Sequence, residues 1–335
     1  MLSRACANEP LLASMPMSRG QPDPTLMPVH RTRGIAALSL VTVIWGFVPL
    51  VFKETDMPVL AFATYRLWMG VAIYAVVFVA TGRRLPWRTL KVCALGGVFF
   101  ACDVALSFAA FRLTSVANAT IIGALAPVFI TLGAARWFGE RLQRRDLAMV
   151  AASFGGVALV ALGSRGSPSW SPLGDAFALA SVVSWTCYWL FSKRTRTSAR
   201  EPVGALEYMA SVMTVAAIVM TGLALVFGQS LALPTRTDWG WIWLVAIVPG
   251  FVGHTLVSWS HRHVDAWLGS LITQCQPVVA TAAGALLLDE RPGPVTIVGM
   301  LVVVIATGVI IASARHRDRL AEKEFDEPET PAPAG

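Results

Sequence analysis

From residue 34 to residue 313 the sequence alternates between long apolar stretches and short breaks of charged, Gly or Pro residues. The stretches cover 34–52, 58–81, 90–111, 115–137, 146–163, 173–192, 203–227, 239–260, 266–288 and 294–313. Each is close to the roughly 17–25 residues that carry a helix across a bilayer core of about 30 Å. In hydrocarbon every backbone polar group must be satisfied internally, which selects helices for such segments. No internal break is long enough to hold a soluble domain. Composition agrees, with 55% hydrophobic and 14% charged residues, against about 45–50% and about 25% in soluble domains. A soluble core has no use for so much apolar surface. The expected fold is an all-α polytopic membrane protein of ten transmembrane helices. Trp87, Trp137, Trp170, Trp239 and Trp241 lie near span ends, where amphipathic rings anchor at the interface.

The net charge of +7 is unevenly placed. Threading the chain through ten spans puts 18 Lys and Arg on one side, from Arg31 through the Arg83–Lys91, Arg136–Arg145 and Lys193–Arg200 breaks to Arg319. The other side receives 5, namely Lys53, Arg112, Arg165, Arg236 and Arg291. The positive-inside rule makes the basic side cytoplasmic and places both termini there. The surplus is a topology signal, and no nucleic-acid partner is needed to explain it. Residues 1–33 carry five prolines and no apolar run, which excludes a secretory h-region, and Glu9 and Asp23 argue against a transit peptide. They read as a disordered tail or an early start, with Met17 and Met27 as alternatives. Residues 314–335, charged and then Pro-rich, read as a second disordered tail on the cytoplasmic side. Five scattered cysteines without a CxxC pair read as packing residues, and no disulfide, zinc or other metal site is expected. Arg outnumbers Lys 23 to 4, as in GC-rich bacterial genomes.

Self-comparison shows a repeat. Arg112, Pro127, Glu140 and Arg141 recur as Arg262, Pro277, Glu290 and Arg291, offset by 150 without a gap. Ala126-Pro127-Val128 answers to Gln276-Pro277-Val278, and Trp45 and Lys53 are spaced as Trp185 and Lys193 are. Five spans per repeat is an odd number, so the second repeat, 173–313, enters the membrane from the side opposite to the first, 34–163. Inverted repeats are a transporter signature, because two mirrored halves can exchange inward-open and outward-open states.

With these motifs the sequence resembles the drug/metabolite transporter superfamily, in particular its EamA-type exporters. The resemblance rests on Trp45-Gly46 and Trp185-Thr186 in the first helix of each repeat. It rests also on the Ala/Gln-Pro-Val kinks and the helix-ending Gly139-Glu140-Arg141 and Asp289-Glu290-Arg291, and it covers residues 34–313. It implies outward transport of small organic solutes such as amino acids, other metabolites or drugs.

Ionisable groups within a span are costly and mark function first. Arg66 and Asp103 each lie about eight residues from the outer end of their spans, roughly 12 Å deep at 1.5 Å per residue. Side-by-side packing of consecutive helices would let them pair. Glu207 and His254 form a second opposite-charge set near the cytoplasmic ends of spans seven and eight, and both titrate near neutral pH when perturbed. Asn118, Gln274 and Gln276 flank the expected helix kinks at Pro127 and Pro277, where freed backbone groups either line a cavity or are bonded between helices. Trp45, Trp185, Tyr65 and Tyr188 form either an aromatic wall for an apolar or cationic solute or ordinary packing. The small-residue rows Ala151-x-x-x-Gly155 and Ala152-x-x-x-Gly156 allow close helix contact, within the fold or in a homodimer. His261, His263 and Asp265 read as a solvated turn. Glu140 and Glu290 read as surface pairs with the arginines that follow them.

These residues describe a bacterial inner-membrane, multi-pass secondary transporter. It exports a small organic metabolite, an amino acid or related solute, by alternating access, with protons as the expected coupling ion and solute exchange as the alternative. No GxxxxGK[ST] loop supplies ATP chemistry and no cofactor is implied. Broad drug efflux and import are the alternatives within transport. A membrane enzyme is the alternative outside it, but HExxH, paired intramembrane aspartates and a Ser/His/Asp cluster are all missing from the sequence. The charge count makes a direct forecast. An alkaline phosphatase fused after Gly335 should be inactive and a fluorescent protein there bright; an active phosphatase would reverse the orientation.

Overall fold

The computed structural model describes residues 28–51, 55, 57–114, 119, 122–140, 143–163, 171–198, 202–287 and 292–326. Among them every regular element is helical. The helices are α1 Pro28–Gly46, α2 Val48–Val51, α3 Val59–Ala80, α4 Trp87–Leu113, α5 Ala126–Phe138, α6 Arg144–Gly163 and α7 Pro172–Arg196. They continue as α8 Ala205–Val226, α9 Arg236–Val245, a π-helical stretch Ala246–Gly253, α10 His254–Ser260, α11 Ala266–Thr273, α12 Gln276–Leu287 and α13 Pro294–Asp326. Among the described residues six helical segments, two of them runs of consecutive helices, are long and apolar enough to cross a membrane by length and composition. Large apolar side chains such as Val79, Leu225, Leu301 and Ile305 point outward, as a lipid-facing surface requires.

Local chemistry sets the boundaries. Pro172 opens α7 behind Ser171, whose hydroxyl accepts from Gly174 N at 3.2 Å. A capping box between Thr235 and Asp238 starts α9, and Gly139, at φ +66°, ends α5 in the left-handed conformation. Two ends deviate from expectation. The first helix begins at Pro28 rather than near 34, and Arg31 in its first turns pairs with Asp265 at 2.5 Å. The last helix runs through the charged stretch to Asp326 rather than stopping near 313, because Ala, Arg, Leu, Glu and Lys are strong helix formers.

Both spans whose prolines recur at the 150-residue offset are broken. Span nine is two helices, α11 and α12, joined by a turn at Gln274–Cys275 just before Pro277. Span four turns at Ala124–Leu125 just before Pro127, where α5 begins. Span eight carries the π-helical stretch with Pro249 inside it.

Packing runs between the repeats. Helix α4 lies against α7 and α8, α3 against α8, α6 against α13, and α1 against α10, α11 and α12. The consecutive helices α3 and α4 touch only slightly, so the adjacency that would pair Arg66 with Asp103 does not hold. One core joins Leu67, Tyr74, Phe100, Tyr188, Tyr208, Met209 and Met213 from both halves; a second joins Leu38, Ile130, Trp189, Trp267 and Leu271. The row Ala152-x-x-x-Gly156 makes a contact within the fold. A Cβ on Gly299 would lie 2.6 Å from Gly156 O, so α6 and α13 meet backbone to backbone. The basic connections meet at one end, where Arg83 pairs with Glu207 and Glu140 with Lys193. At the other end Thr55 bonds Asp238 and Thr114 bonds Asp175.

Gly299→Val should cost about 1–3 kcal/mol by overpacking. Gly308→Val on the same helix, whose Cβ would meet open space, should be close to neutral. Melting curves in detergent separate the two, and equal midpoints would refute the backbone contact.

Candidate functional site

A cavity of about 320 Å³ opens inside the bundle where the two repeats meet. The first repeat lines it with Trp45 and Val48, Arg66 from α3, and Phe100, Asp103, Val104, Ser107 and Phe108 from α4. The second contributes Trp185 from α7, Pro249, His254 and Gln276. Six of the residues picked from sequence therefore converge here.

The aromatic wall is built edge to face. Trp45 and Trp185 have ring centroids 6.0 Å apart at 69°, and Trp185 leans on Tyr188 at 5.3 Å. Tyr188 is fully buried behind the wall, with its hydroxyl on Met209 Sδ at 3.6 Å. The Trp45 indole donates to Pro249 O at 3.2 Å, a carbonyl within the π-helical stretch, a deviation found frequently at functional sites. Gly253 makes room for that ring, since a Cβ there would lie 2.7 Å from Trp45 Nε1. His254 is 5% exposed, set between Trp45 and Phe100 at centroid distances of 4.8 and 4.9 Å.

The charged groups share the cavity without a direct bond. Ser181 donates to Asp103 Oδ1 at 2.7 Å; Ser107 Oγ lies 2.7 Å from Ser181 Oγ and 3.4 Å from Asp103 Oδ1. The cavity also receives Arg66, which forms no salt bridge with Asp103. Among the described residues its guanidinium makes no hydrogen bond. The two serines escaped sequence reasoning because hydroxyls in a span carry no hydropathy signal.

Glu207 and His254 are not brought together. Glu207 accepts from Arg83 at 3.0 Å and lines a separate cavity of about 990 Å³ at the basic end, with Arg84, Arg88 and Arg194. Tyr65 lies away from the wall, bonding Leu231 O at 2.8 Å and packing on Trp239. Gln276 lines the cavity and donates to Trp45 O at 3.2 Å. Gln274 instead donates to Ala124 O at 3.1 Å, a carbonyl released by the turn before Pro127. The two helix breaks are thus bonded to each other, across the repeat offset. Asn118 and Glu290 lie outside the described residues.

At the basic end two expectations are corrected. Glu140 does not form a surface pair. Its side chain and that of Lys193 are 8% and 9% exposed and meet at 2.9 Å. Glu140 also accepts from the backbone N–H groups of Ala266 and Trp267, at 3.0 and 3.4 Å, at the start of α11. Lys193 adds a bond to Val264 O at 2.8 Å. The 261–265 turn is not solvated throughout either. His261 is buried, 2.7 Å from Ser192 Oγ and with its ring against Trp189 at 4.6 Å. His263, half-buried at the turn, packs on Trp259 at 4.3 Å, and its partial burial lowers its proton affinity below that of a free imidazole.

An all-helical bundle of two interlocked repeats around a polar intramembrane cavity has the architecture of a membrane transporter. The EamA-like transporter family model matches residues 32–162 and again 172–312, and the chain belongs to that family. A protein of Escherichia coli K12 named "Probable amino-acid metabolite efflux pump" is 31% identical over 305 residues, covering 88% of this chain and 99% of its own. A protein of Salmonella typhimurium with the same name is 26% identical, covering 86% and 98%. An "Uncharacterized transporter" of Archaeoglobus fulgidus is 24% identical, covering 82% and 97%. A solved crystal structure superimposes with a TM-score of 0.72 at 21% identity, over 85% of this chain and 98% of that one, and shows the shared fold.

Gln274→Leu should lower stability by about 1 kcal/mol, because it strips Ala124 O of its donor, while solute affinity of the folded protein stays unchanged. An unaltered melting midpoint would mean that this bond does not contribute.

Proposed function

We propose that this protein is a secondary active transporter that exports a small organic metabolite, an amino acid or related solute, across the bacterial inner membrane by alternating access. The observation that carries the reading is a cavity built from both repeats, together with a buried ion-pair clamp that ties the two repeats at the basic end. A solute held between two repeats is released to either side when they rock. Under the positive-inside rule the end tied by this pair is cytoplasmic, and in this reading the pair is the joint that must open and close on that side during the cycle. The names of the bacterial relatives support the solute class and the outward direction. Protons are the coupling ion in this reading, exchanged at Asp103 and His254, the titratable pair inside the cavity. Glu207, engaged with Arg83, serves the cytoplasmic vestibule.

The clamp gives the test. Glu140→Gln leaves the Lys193 ammonium buried beside a neutral partner, and breaking one side of a buried pair costs about 3–5 kcal/mol. Metabolite profiling of cells with and without the protein should show one class of solute enriched outside only when the protein is present. Glu140→Gln should cut that efflux at least about tenfold, and Glu140→Gln with Lys193→Met should restore membrane abundance. Identical profiles with and without the protein would refute export. Wild-type efflux from Glu140→Gln would remove the clamp from the cycle.

A further inference from the structure

The cavity holds two opposite charges, Arg66 and Asp103, that form no direct ion pair with each other. Asp103 Oδ1 is taken by the serine pair, whereas Oδ2 has no donor among the described residues. Arg66 lines the same space with its guanidinium unoccupied. His254, nineteen-twentieths buried, leaves Nδ1 without a hydrogen-bond partner. Unpaired charges in low dielectric are expensive. A fold that brings both signs into one cavity without a bond between them leaves the Arg66 donors and Asp103 Oδ2 available to a ligand.

We infer that the cavity is a zwitterion site: Arg66 takes the carboxylate and Asp103 the ammonium of an α-amino acid whose apolar side chain lies along Trp45, Trp185 and Phe100. The inference rests on the cavity being the transport site and adds what that site reads. The charges of Arg66 and Asp103 cancel, so a solute of zero net charge with both poles exposed restores every lost interaction. A free amine or a free acid satisfies one side and leaves the other charge stranded. Guanidinium suits a carboxylate, which it grips through two parallel N–H donors. The ammonium needs only one carboxylate oxygen, and Oδ2 supplies it. His254 Nδ1 completes the site as a further hydrogen-bonding atom. The volume is at the small end of the roughly 300–1,000 Å³ of ligand pockets, suited to a single amino acid rather than a peptide. The walls offer ring faces and Val104 to the side chain, so an apolar residue is favoured over a polar one.

The test uses purified full-length protein in lipid nanodiscs, with L-leucine, 3-methylbutylamine (leucine without its carboxylate), N-acetyl-L-leucine (leucine without its ammonium) and L-serine as probes, read by ligand-induced thermal stabilisation. Leucine should stabilise the protein at concentrations at least about tenfold lower than either blocked analogue, and lower than serine. Arg66→Met should abolish the advantage of leucine over the amine, and Asp103→Asn its advantage over the N-acetyl compound. If either single change fails to fold, the double Arg66→Met, Asp103→Asn protein has a neutral cavity and should lose both preferences. Equal stabilisation by leucine and its analogues, or unchanged selectivity in these variants, would overturn the inference. Val104→Trp, which fills the cavity, tests the reading beneath it. Lost efflux without zwitterion selectivity leaves the transport site standing and the inference refuted, whereas undiminished efflux refutes both.

Discussion

One carboxylate joins three distant parts of this chain. Glu140 follows Gly139, the left-handed residue that ends α5, so it sits just past the helix terminus. It then meets the Lys193 ammonium from α7 and two backbone donors at the start of α11. Burying such a pair costs several kcal/mol per ion before compensation. Here the offsets are a short ion pair, bonds from a helix N-terminus whose dipole favours an anion, and the Val264 carbonyl on the lysine. The two repeats are thereby tied together at the basic end by interactions that are strong only while all partners are present. A joint of that kind is either closed or open, with little in between.

The interlocked packing explains why such a joint matters. Helices α3 and α4 hardly touch each other and share α8 of the other repeat, while α6 and α13 are pressed together at Gly156 and Gly299. Both cores mix residues of the two halves. The cavity is left where spans one, eight and nine depart from regular helix near Gly46, Pro249 and Pro277. Irregular backbone at membrane depth is tolerated where it is buried in protein or lines a cavity, and carbonyls beside these breaks find donors: Ala124 O from Gln274, Trp45 O from Gln276, and Pro249 O from Trp45.

Much of this is legible in the sequence because a bilayer leaves few options. Hydropathy finds the spans, and the 150-residue offset finds both proline breaks before any helix is seen. Arg66, Asp103 and His254 stand out because an ionisable residue within a span is rare. Their partners are not legible, since they depend on which helices touch. Chain order suggests α3 beside α4, and the fold interleaves the repeats instead. Glu140 and Lys193 are both singled out by the repeat itself, yet next to arginines and a helix end they read as surface charge. Only tertiary structure brings α11 over them. Ser107 and Ser181 carry no signal in hydropathy or charge, and acquire meaning from the carboxylate they flank.

The distance between nitroxide labels at Gln143 and Thr197, on the connections either side of the clamp, tests the account most directly. In nanodiscs the native protein should give one narrow, short distribution, and Glu140→Gln should shift population to a second, longer one as the basic end opens. Superimposable distributions in the two proteins would contradict the clamp, and with it the claim that this ion pair holds one side of the transport cycle closed.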